Sequence, residues 1–163
     1  MKSTELLKKG QGLFFAKPQD YKRAKDFFQQ VTVTSPEWVE GHHWLASACE
    51  SLKDHSQALK SYRQAIQCCP NDPRPRIALG RLLAQEGQLK EAIAELQKGI
   101  ELKPHYGEAD ARLFLAEAYV KVGDIPKARE QWEMVSVATP SYPSNHEPMQ
   151  EALQKLKEYT NRS

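Results

Sequence analysis

The sequence predicts an all-α protein built from repeated helix pairs, and three observations support this prediction. Prolines recur at a regular interval, since Pro36, Pro70 and Pro104 lie 34 residues apart and Pro140 follows after 36. Apolar residues recur at the spacing of amphipathic helices, for example between Leu89 and Ile100. Small residues recur in register with the prolines. Internal periods of this length are typical of stacked supersecondary units.

Each repeat carries small and large residues at corresponding positions. The first helices have Gly12, Ala46, Gly80 and Ala116, followed three residues later by Phe15, Cys49, Leu83 and Tyr119. The second helices have Ala24, Ala58, Ala92 and Ala128, followed four residues later by Phe28, Tyr62, Leu96 and Trp132. Small side chains such as those at Gly80 and Ala92 let paired helices approach closely, and the large residue after the second-helix alanine fills the groove between successive repeats. We therefore expect four antiparallel helix pairs.

The connections contain residues that end helices. Gly87 separates two periodic runs, as expected of a residue that follows a helix C-terminus. In the stretch CCPNDPRPR, we expect Cys68 and Cys69 to end one helix, Pro70 to open a turn and Pro73 to lie in the first turn of the next helix. This stretch is thus predicted to be a boundary between repeats and not a chemical site.

A final helix is predicted after a connector that contains Pro143 and Pro148, two residues expected to interrupt a helix. Its apolar stripe is expected to comprise Met149, Leu153, Leu156 and Tyr159, with Glu151, Gln154 and Glu158 outside it. Terminal repeats need a cover with a polar outer face. We expect this helix to cap the last pair, with a detachable helix that binds a partner as the alternative.

The repeated positions resemble the tetratricopeptide repeat, for example in LGRLLAQEGQLKEAIAELQKGIELKP, residues 79–104. The resemblance implies a right-handed α-solenoid of four helix pairs plus a C-terminal capping helix. The expected repeats within 5–142 are 5–38, 39–72, 73–106 and 109–142, followed by the connector and cap in 143–163. The usual early tryptophan of the family is replaced by Lys8, His42, Arg76 and Arg112.

Composition argues against several classes of protein. The 23 Lys and Arg nearly balance the 21 Asp and Glu, so the net charge of +2 does not favour nucleic acid as a partner. No apolar run reaches the roughly 20 residues of a membrane span, and no signal peptide opens the chain. We therefore expect a cytoplasmic protein. The three cysteines are expected to be reduced structural thiols.

Catalytic and metal-binding motifs are not found in the sequence. It contains no GxGxxG, Walker loop, HExxH or GxSxG. His42 and His43 are adjacent, and consecutive helical side chains diverge by about 100° and cannot share one ion. We expect no enzymatic activity, no cofactor and no metal.

The resemblance places binding on the first helix of each pair, which lines a concave groove in this family. In the fourth repeat, the corresponding positions are Asp110, Leu113, Phe114, Glu117 and Lys121. The candidate groove residues over all four repeats are Lys9, Leu13, His43, Trp44, Ser47, Arg74, Ala78, Arg81, Phe114 and Glu117. Aromatic residues and arginines are typical of binding hot spots. We expect a scaffold or adaptor whose peptide or helix partner carries apolar anchors and acidic groups.

Three alternatives qualify this expectation. Trp44 could pack only against a neighbouring helix. Some family members bind chaperone C-termini through a clamp of Lys, Asn and Arg residues, but only Lys9 and Arg74 agree with that clamp, which disfavours this ligand. Leu6, Leu7, Phe14 and Phe15 form an apolar start to the chain, so a structural protein that self-assembles through exposed helix faces is the second functional candidate.

Overall fold

The computed structural model describes residues 2–104, 107–137 and 146–160, and within these ranges it contains nine α-helices and no strand. The helices are α1 Ser3–Phe15, α2 Tyr21–Thr34, α3 Val39–Ser51, α4 His55–Cys68, α5 Pro73–Gln85, α6 Leu89–Glu101, α7 Glu108–Lys121, α8 Ile125–Val137 and α9 His146–Thr160. The predicted all-α fold is confirmed. The predicted connector around Pro140 and Pro143 lies outside the described residues. No described helix is both long and apolar enough to cross a membrane.

The turns inside the second, third and fourth pairs share one backbone pattern. Each spans three residues, and its middle residue, Lys53, Gly87 or Gly123, has a positive φ of 64°, 78° or 83°. Two of these residues are glycines, which adopt this conformation without the steric cost of a Cβ. Asp54 then caps α4 by accepting a hydrogen bond from the backbone nitrogen of Gln57 at 3.3 Å, a favourable way to satisfy a free N–H group.

The chain divides into two compact units, Met1–Pro75 and Arg76–Ser163. In the first unit, α2 packs against both α1 and α3, and α3 packs against α4. In the second unit, α7 packs against α6, α8 and α9, and α8 also packs against α9. Each unit is therefore held together by contacts between successive helices, as expected for a helical repeat.

Close approach of paired helices is clearest at Gly80 in the second unit. A Cβ added to Gly80 would lie 2.6 Å from Cγ of Leu96 and 3.0 Å from the backbone oxygen of Ala92. The other predicted small positions in the second to fourth pairs are alanines whose exposed fraction is 0%: Ala46, Ala58, Ala92, Ala116 and Ala128. The predicted role of small residues is confirmed for these three pairs.

The first pair departs from the predicted register. A Cβ on Gly12 would meet nothing within 4 Å, whereas a Cβ on Gly10 would lie 2.5 Å from a ring carbon of Phe28. Gly10, not Gly12, is therefore the small residue at the approach of α1 and α2. The physical reason is the turn Ala16–Asp20, which is two residues longer than the turn Leu52–Asp54 of the next pair.

The same offset exposes Phe15, which the repeat alignment places with Cys49 and Leu83. Its exposed fraction is 66%, whereas Cys49 and Leu83 at the aligned positions are at 0%. Leu6 and Leu7 are buried at 3% and 9%. The predicted apolar start of the chain is thus largely covered by the chain itself, with Phe15 as the exception.

Helix α9 begins earlier than predicted, and its buried stripe differs from the prediction at Leu153. Pro148 lies in its first turn, where a helix does not need the missing N–H group, so this proline does not interrupt it. Ala152 is fully buried, whereas Leu153 is 43% exposed. The ring of Tyr159 lies 5.1 Å from the ring of Trp132. The helix covers the core of the second unit through Ala152, and Leu156 and Tyr159 of the predicted stripe pack against the same core.

Two glycines that occupy the same position of the predicted repeat should respond oppositely to alanine. Gly12→Ala should stabilise the protein by about 0.5–1 kcal/mol, because alanine favours a helix and its Cβ enters open space. Gly80→Ala should destabilise it by about 1–3 kcal/mol, because the Cβ meets Leu96 and helical backbone. Chemical denaturation of both variants measures the difference, and a similar change for the two would contradict the offset of the first pair.

Candidate functional site

The candidate groove residues are distributed over both compact units. Lys9, Leu13, His43, Trp44, Ser47 and Arg74 lie in the first unit, and Ala78, Arg81, Phe114 and Glu117 lie in the second. Ala78 and Arg81 are half-buried on α5.

Trp44 is the centre of an aromatic cluster in the first unit. Its ring centroid lies 5.5 Å from those of Phe14 and Phe15, both edge-on, and 5.9 Å from that of Phe28, which is stacked. Contacts of this kind contribute about 0.5–1.5 kcal/mol per pair beyond the area they bury. Trp44 therefore packs against α1 and α2, as the structural alternative held, while its side chain remains half-exposed.

Arg74 is held by two carboxylates of the first unit. Its Nε and Nη2 donate to the two carboxylate oxygens of Asp72 at 3.0 and 2.6 Å, and Nη2 also donates to Oε1 of Glu40 at 3.3 Å. The hydrogen bond to Asp72 raises the pKa of Arg74. Burial raises the pKa of Asp72, but the hydrogen bonds and charge of Arg74 outweigh burial and lower that pKa. The positive charge of Arg74 is thus largely balanced within the unit.

His43 is a polar residue enclosed by its neighbours. Its Nδ1 is buried and has no hydrogen-bond partner among the described residues, and its ring lies 5.7 Å from that of Tyr62. Ser47 Oγ donates to the backbone oxygen of His43 at 3.1 Å. Burial, followed by the positive charge of Arg74, lowers the pKa of His43, so the imidazole is neutral at neutral pH.

Lys9 and Leu13 were assigned to the binding face by an alignment of α1 that differs by two residues from the one the structure gives. Lys9 is exposed, with its Nζ 3.6 Å from Oε1 of Glu5, and Leu13 is half-buried. With Gly10 at the close approach, the residue of α1 that corresponds to His43 is Leu7. The binding role of Lys9 and Leu13 stays a prediction. It assumed that the turn after α1 has the same length as the turns of the other pairs.

The second unit contains a cleft of about 310 Å³ between α7 and α9, with Trp132 of α8 at its base. Its lining residues are Asp110, Leu113, Phe114, Glu117, Val120, Trp132, Glu151, Lys155 and Tyr159. The first four are positions that the repeat register assigned to the binding face of α7. The sequence did not predict that residues of α9 line this cleft. The polar side of α9, where Glu151 lies, was the feature of the sequence that could have indicated it.

Carboxylates outnumber cations in this cleft. Asp110, Glu117 and Glu151 line it together with one cation, Lys155. Glu117 pairs with Lys121 at 2.9 Å. Burial raises the pKa of Asp110, and the negative charge of Glu147 on α9 raises it further. The cleft therefore combines aromatic walls with an acidic edge.

The cysteine thiols and the possible metal ligands do not form a reactive site in the described residues. Cys49 is fully buried, which raises the pKa of its thiol, and Cys68 Sγ donates to the backbone oxygen of Pro36 at 3.3 Å. All three cysteines are free thiols. Over the part of the chain that the structure describes, no three His, Cys, Asp or Glu residues are arranged to hold a metal ion.

Comparisons with known proteins agree with the repeat architecture. Family profiles described as "Tetratricopeptide repeat" match residues 12–73, 51–109 and 83–156. The TPR repeat-containing thioredoxin TTL4 of Arabidopsis thaliana is 33% identical over 76 residues, which are 47% of this chain and 11% of that protein. The chain thus spans about a tenth of the length of this relative.

Two solved structures have the same fold over most of the chain. YrrB, described as a TPR protein with an unusual peptide-binding site, has a TM-score of 0.75 and 25% identity, over 93% of this chain and 74% of its own. MamA has a TM-score of 0.76 and 21% identity, over 98% of this chain and 86% of its own. At this identity, the likeness to MamA concerns the fold alone.

The buried imidazole of His43 should make stability depend on pH. Because the folded-state pKa lies below the ordinary value of 6.5, the unfolded chain takes up this proton first, and stability falls as the pH drops below 6.5. The surrounding charges are Arg74, which opposes protonation, and Glu40, Glu50 and Asp72, which favour it without outweighing burial.

The measurement compares the free energy of unfolding of the wild type and His43→Gln at about pH 7.5 and about pH 5.5. The variant should lose less stability than the wild type between the two values, because glutamine does not titrate. Equal losses in the two proteins would contradict an enclosed neutral His43.

Proposed function

The chain belongs to the tetratricopeptide repeat family, and on this basis we propose that it is a non-catalytic scaffold or adaptor that binds a partner peptide or helix. Tetratricopeptide repeat proteins generally mediate protein–protein interactions. The proposed binding surfaces are the exposed sides of the first helices of the pairs, considered separately in each compact unit.

The observation that carries this proposal is the cleft between α7 and α9. Four residues of α7 that the repeat alignment assigned to the binding face line this cleft. Its walls include Phe114 and Tyr159, and aromatic residues recessed from solvent are typical of interaction hot spots. The carboxylates beside them supply the few polar groups that fix the orientation of a ligand.

The aromatic cluster of the first unit is the second proposed contact surface. Phe15 is 66% exposed and its ring lies against Trp44, so the two present a continuous apolar area on which an apolar anchor can pack. The side chain of Arg74 is 55% exposed but bound by Asp72 and Glu40. Acidic partner groups would compete with these two carboxylates, so we propose that apolar anchors dominate at this surface.

Self-association remains a second candidate because of Phe15. The predicted assembly face of four residues is wrong for Leu6 and Leu7, which are buried. Phe15 is a large apolar side chain of α1 that could contact another copy, whereas Val33 on α2, at 76% exposure, lies outside the predicted assembly face. The two candidates therefore differ in what they require of Phe15.

Peptide binding is tested by selecting peptides from a displayed library against the folded protein and measuring their affinity by calorimetry. For peptides bound at the cleft, Phe114→Ala should weaken affinity about tenfold or more, as truncation of a hot-spot aromatic does. Met134→Ala is the matched control, since Met134 is a 47% exposed apolar residue on α8 of the same unit outside the cleft lining.

The control should bind within about twofold of the wild type, and both variants should unfold cooperatively. If no selected peptide loses affinity in Phe114→Ala, the cleft is not the binding surface, and the observation that carries the proposal no longer supports it.

Sedimentation velocity separates the adaptor from the self-assembling protein. As an adaptor, the wild type should remain monomeric at micromolar concentration, and Phe15→Glu should not change its mass. Self-association through Phe15 would give a mass that rises with concentration in the wild type and in the control Val33→Glu, but not in Phe15→Glu. That second pattern would favour the structural protein.

A further inference from the structure

The floor of the cleft between α7 and α9 is apolar and rigidly supported. Trp132 is only 3% exposed and packs against Tyr159, with the ring centroids 5.1 Å apart. Leu113, Phe114 and Val120 complete the apolar lining from α7. Because these helices also pack on a shared core, the floor exists before any partner arrives. A ligand would therefore find an ordered aromatic surface.

Two of the carboxylates at the cleft, Asp110 and Glu151, form no ion pair with a described lysine or arginine. Within the described ranges, no lysine or arginine lies within ion-pair distance of Asp110 or Glu151, whereas Glu117 is paired with Lys121. Lys155 is 3.7 Å from Glu158 on its own helix. A ligand in the cleft would thus lie next to three carboxylates and one ammonium group, a local excess of negative charge.

The surroundings of Asp110 point in the same direction. Burial disfavours its charged form, and Glu147 adds a like charge, so the pKa of Asp110 is raised. The positive charge of an approaching cation would act against both effects, since it would favour the ionised carboxylate and offset the repulsion between the two acids. A partner carboxylate would increase the repulsion.

We propose that this cleft binds an arginine or lysine side chain of the partner, with its cationic group between Asp110 and Glu151 and its aliphatic stem on Phe114 and Trp132. The inference rests on the proposed peptide binding and specifies the chemistry of the peptide at this surface. The volume of about 310 Å³ is at the lower end of ligand pockets, which suits one long side chain.

Arginine and lysine match both parts of the cleft. Their stems are apolar while their heads are charged, so they can cover the aromatic floor and still reach the acidic edge. Aromatic faces attract cations, and a carboxylate hydrogen bond to a charged donor is stronger than one between neutral groups. A purely apolar side chain would leave the carboxylates desolvated without compensation.

The test titrates ¹⁵N-labelled protein with four blocked amino acids: the N-acetyl amides of arginine, lysine, norleucine and glutamate. The arginine and lysine amides should produce saturable shifts confined to backbone amides of α7, α8 and α9. The glutamate amide should produce none there. If the norleucine amide binds as tightly as the arginine amide, or if the arginine amide gives no saturable shifts in these helices, the inference is overturned.

Charge-neutral variants of the same shape locate the cation. Asp110→Asn and Glu151→Gln should each weaken the arginine amide by about threefold to fivefold, in the range of exposed ion pairs. Glu133→Gln is the control, because Glu133 is an exposed carboxylate of α8 outside the cleft lining. Unchanged affinity in both cleft variants would overturn the inference.

Failure of this inference is distinguishable from failure of the proposed function. A selected peptide could lose affinity in Phe114→Ala but bind the wild type and the double variant of Asp110→Asn and Glu151→Gln equally. That result would overturn the cationic anchor and leave the proposed peptide binding intact. A selected peptide that loses affinity in Phe114→Ala and in the double variant, but not in Glu133→Gln, would support both.

Discussion

The fold depends on how closely the two helices of a pair can approach. At Gly80, Leu96 and the backbone of α6 occupy the space that any side chain would need, and the corresponding alanines of the second and fourth pairs are completely buried. Because protein interiors are packed at the density of organic crystals, a single extra carbon at such a contact must displace its neighbours. Small residues at these positions therefore determine the spacing of each pair, and the spacing determines which sides of the first helices remain exposed.

The repeat could be predicted from the sequence because packing of this kind recurs with the period of the chain. Gly80, Ala46 and Ala116 are aligned by their distance from the closing prolines, and the structure buries all three. Counting back from the closing proline gave the wrong residue, Gly12, in the first pair. The hydrophobic pattern within the two helices does not reveal how long the turn between them is. The longer turn Ala16–Asp20 moves the close approach to Gly10, and no periodicity in a single sequence distinguishes these two glycines.

The candidate site was predictable to the extent that it belongs to one repeat. Phe114 and Glu117 line the cleft together with Asp110 and Leu113, as the register of α7 indicated. The contribution of Glu151 was not predictable, since α9 lies outside the repeats and its direction of packing does not follow from them. Arg74 illustrates a different limit. Its carboxylate partners lie two residues before it and on another helix, so its residue type suggested a free cation where the structure has a balanced one.

Local charge explains why composition was uninformative about the partner. The net charge of +2 suggested no preferred sign, and the arginines among the candidate groove residues suggested an acidic partner, yet interactions between exposed charges are largely screened beyond about 8–10 Å at physiological salt. A bound side chain therefore responds to the few groups that surround it and not to the whole molecule. At Arg74 these groups include Asp72 and Glu40, which cancel the cation, and in the cleft they include Asp110 and Glu151, which form no ion pair with a described lysine or arginine. We therefore expect the preference of the chain for a partner to be set at single pockets, and the cationic anchor proposed for the second unit follows from this expectation.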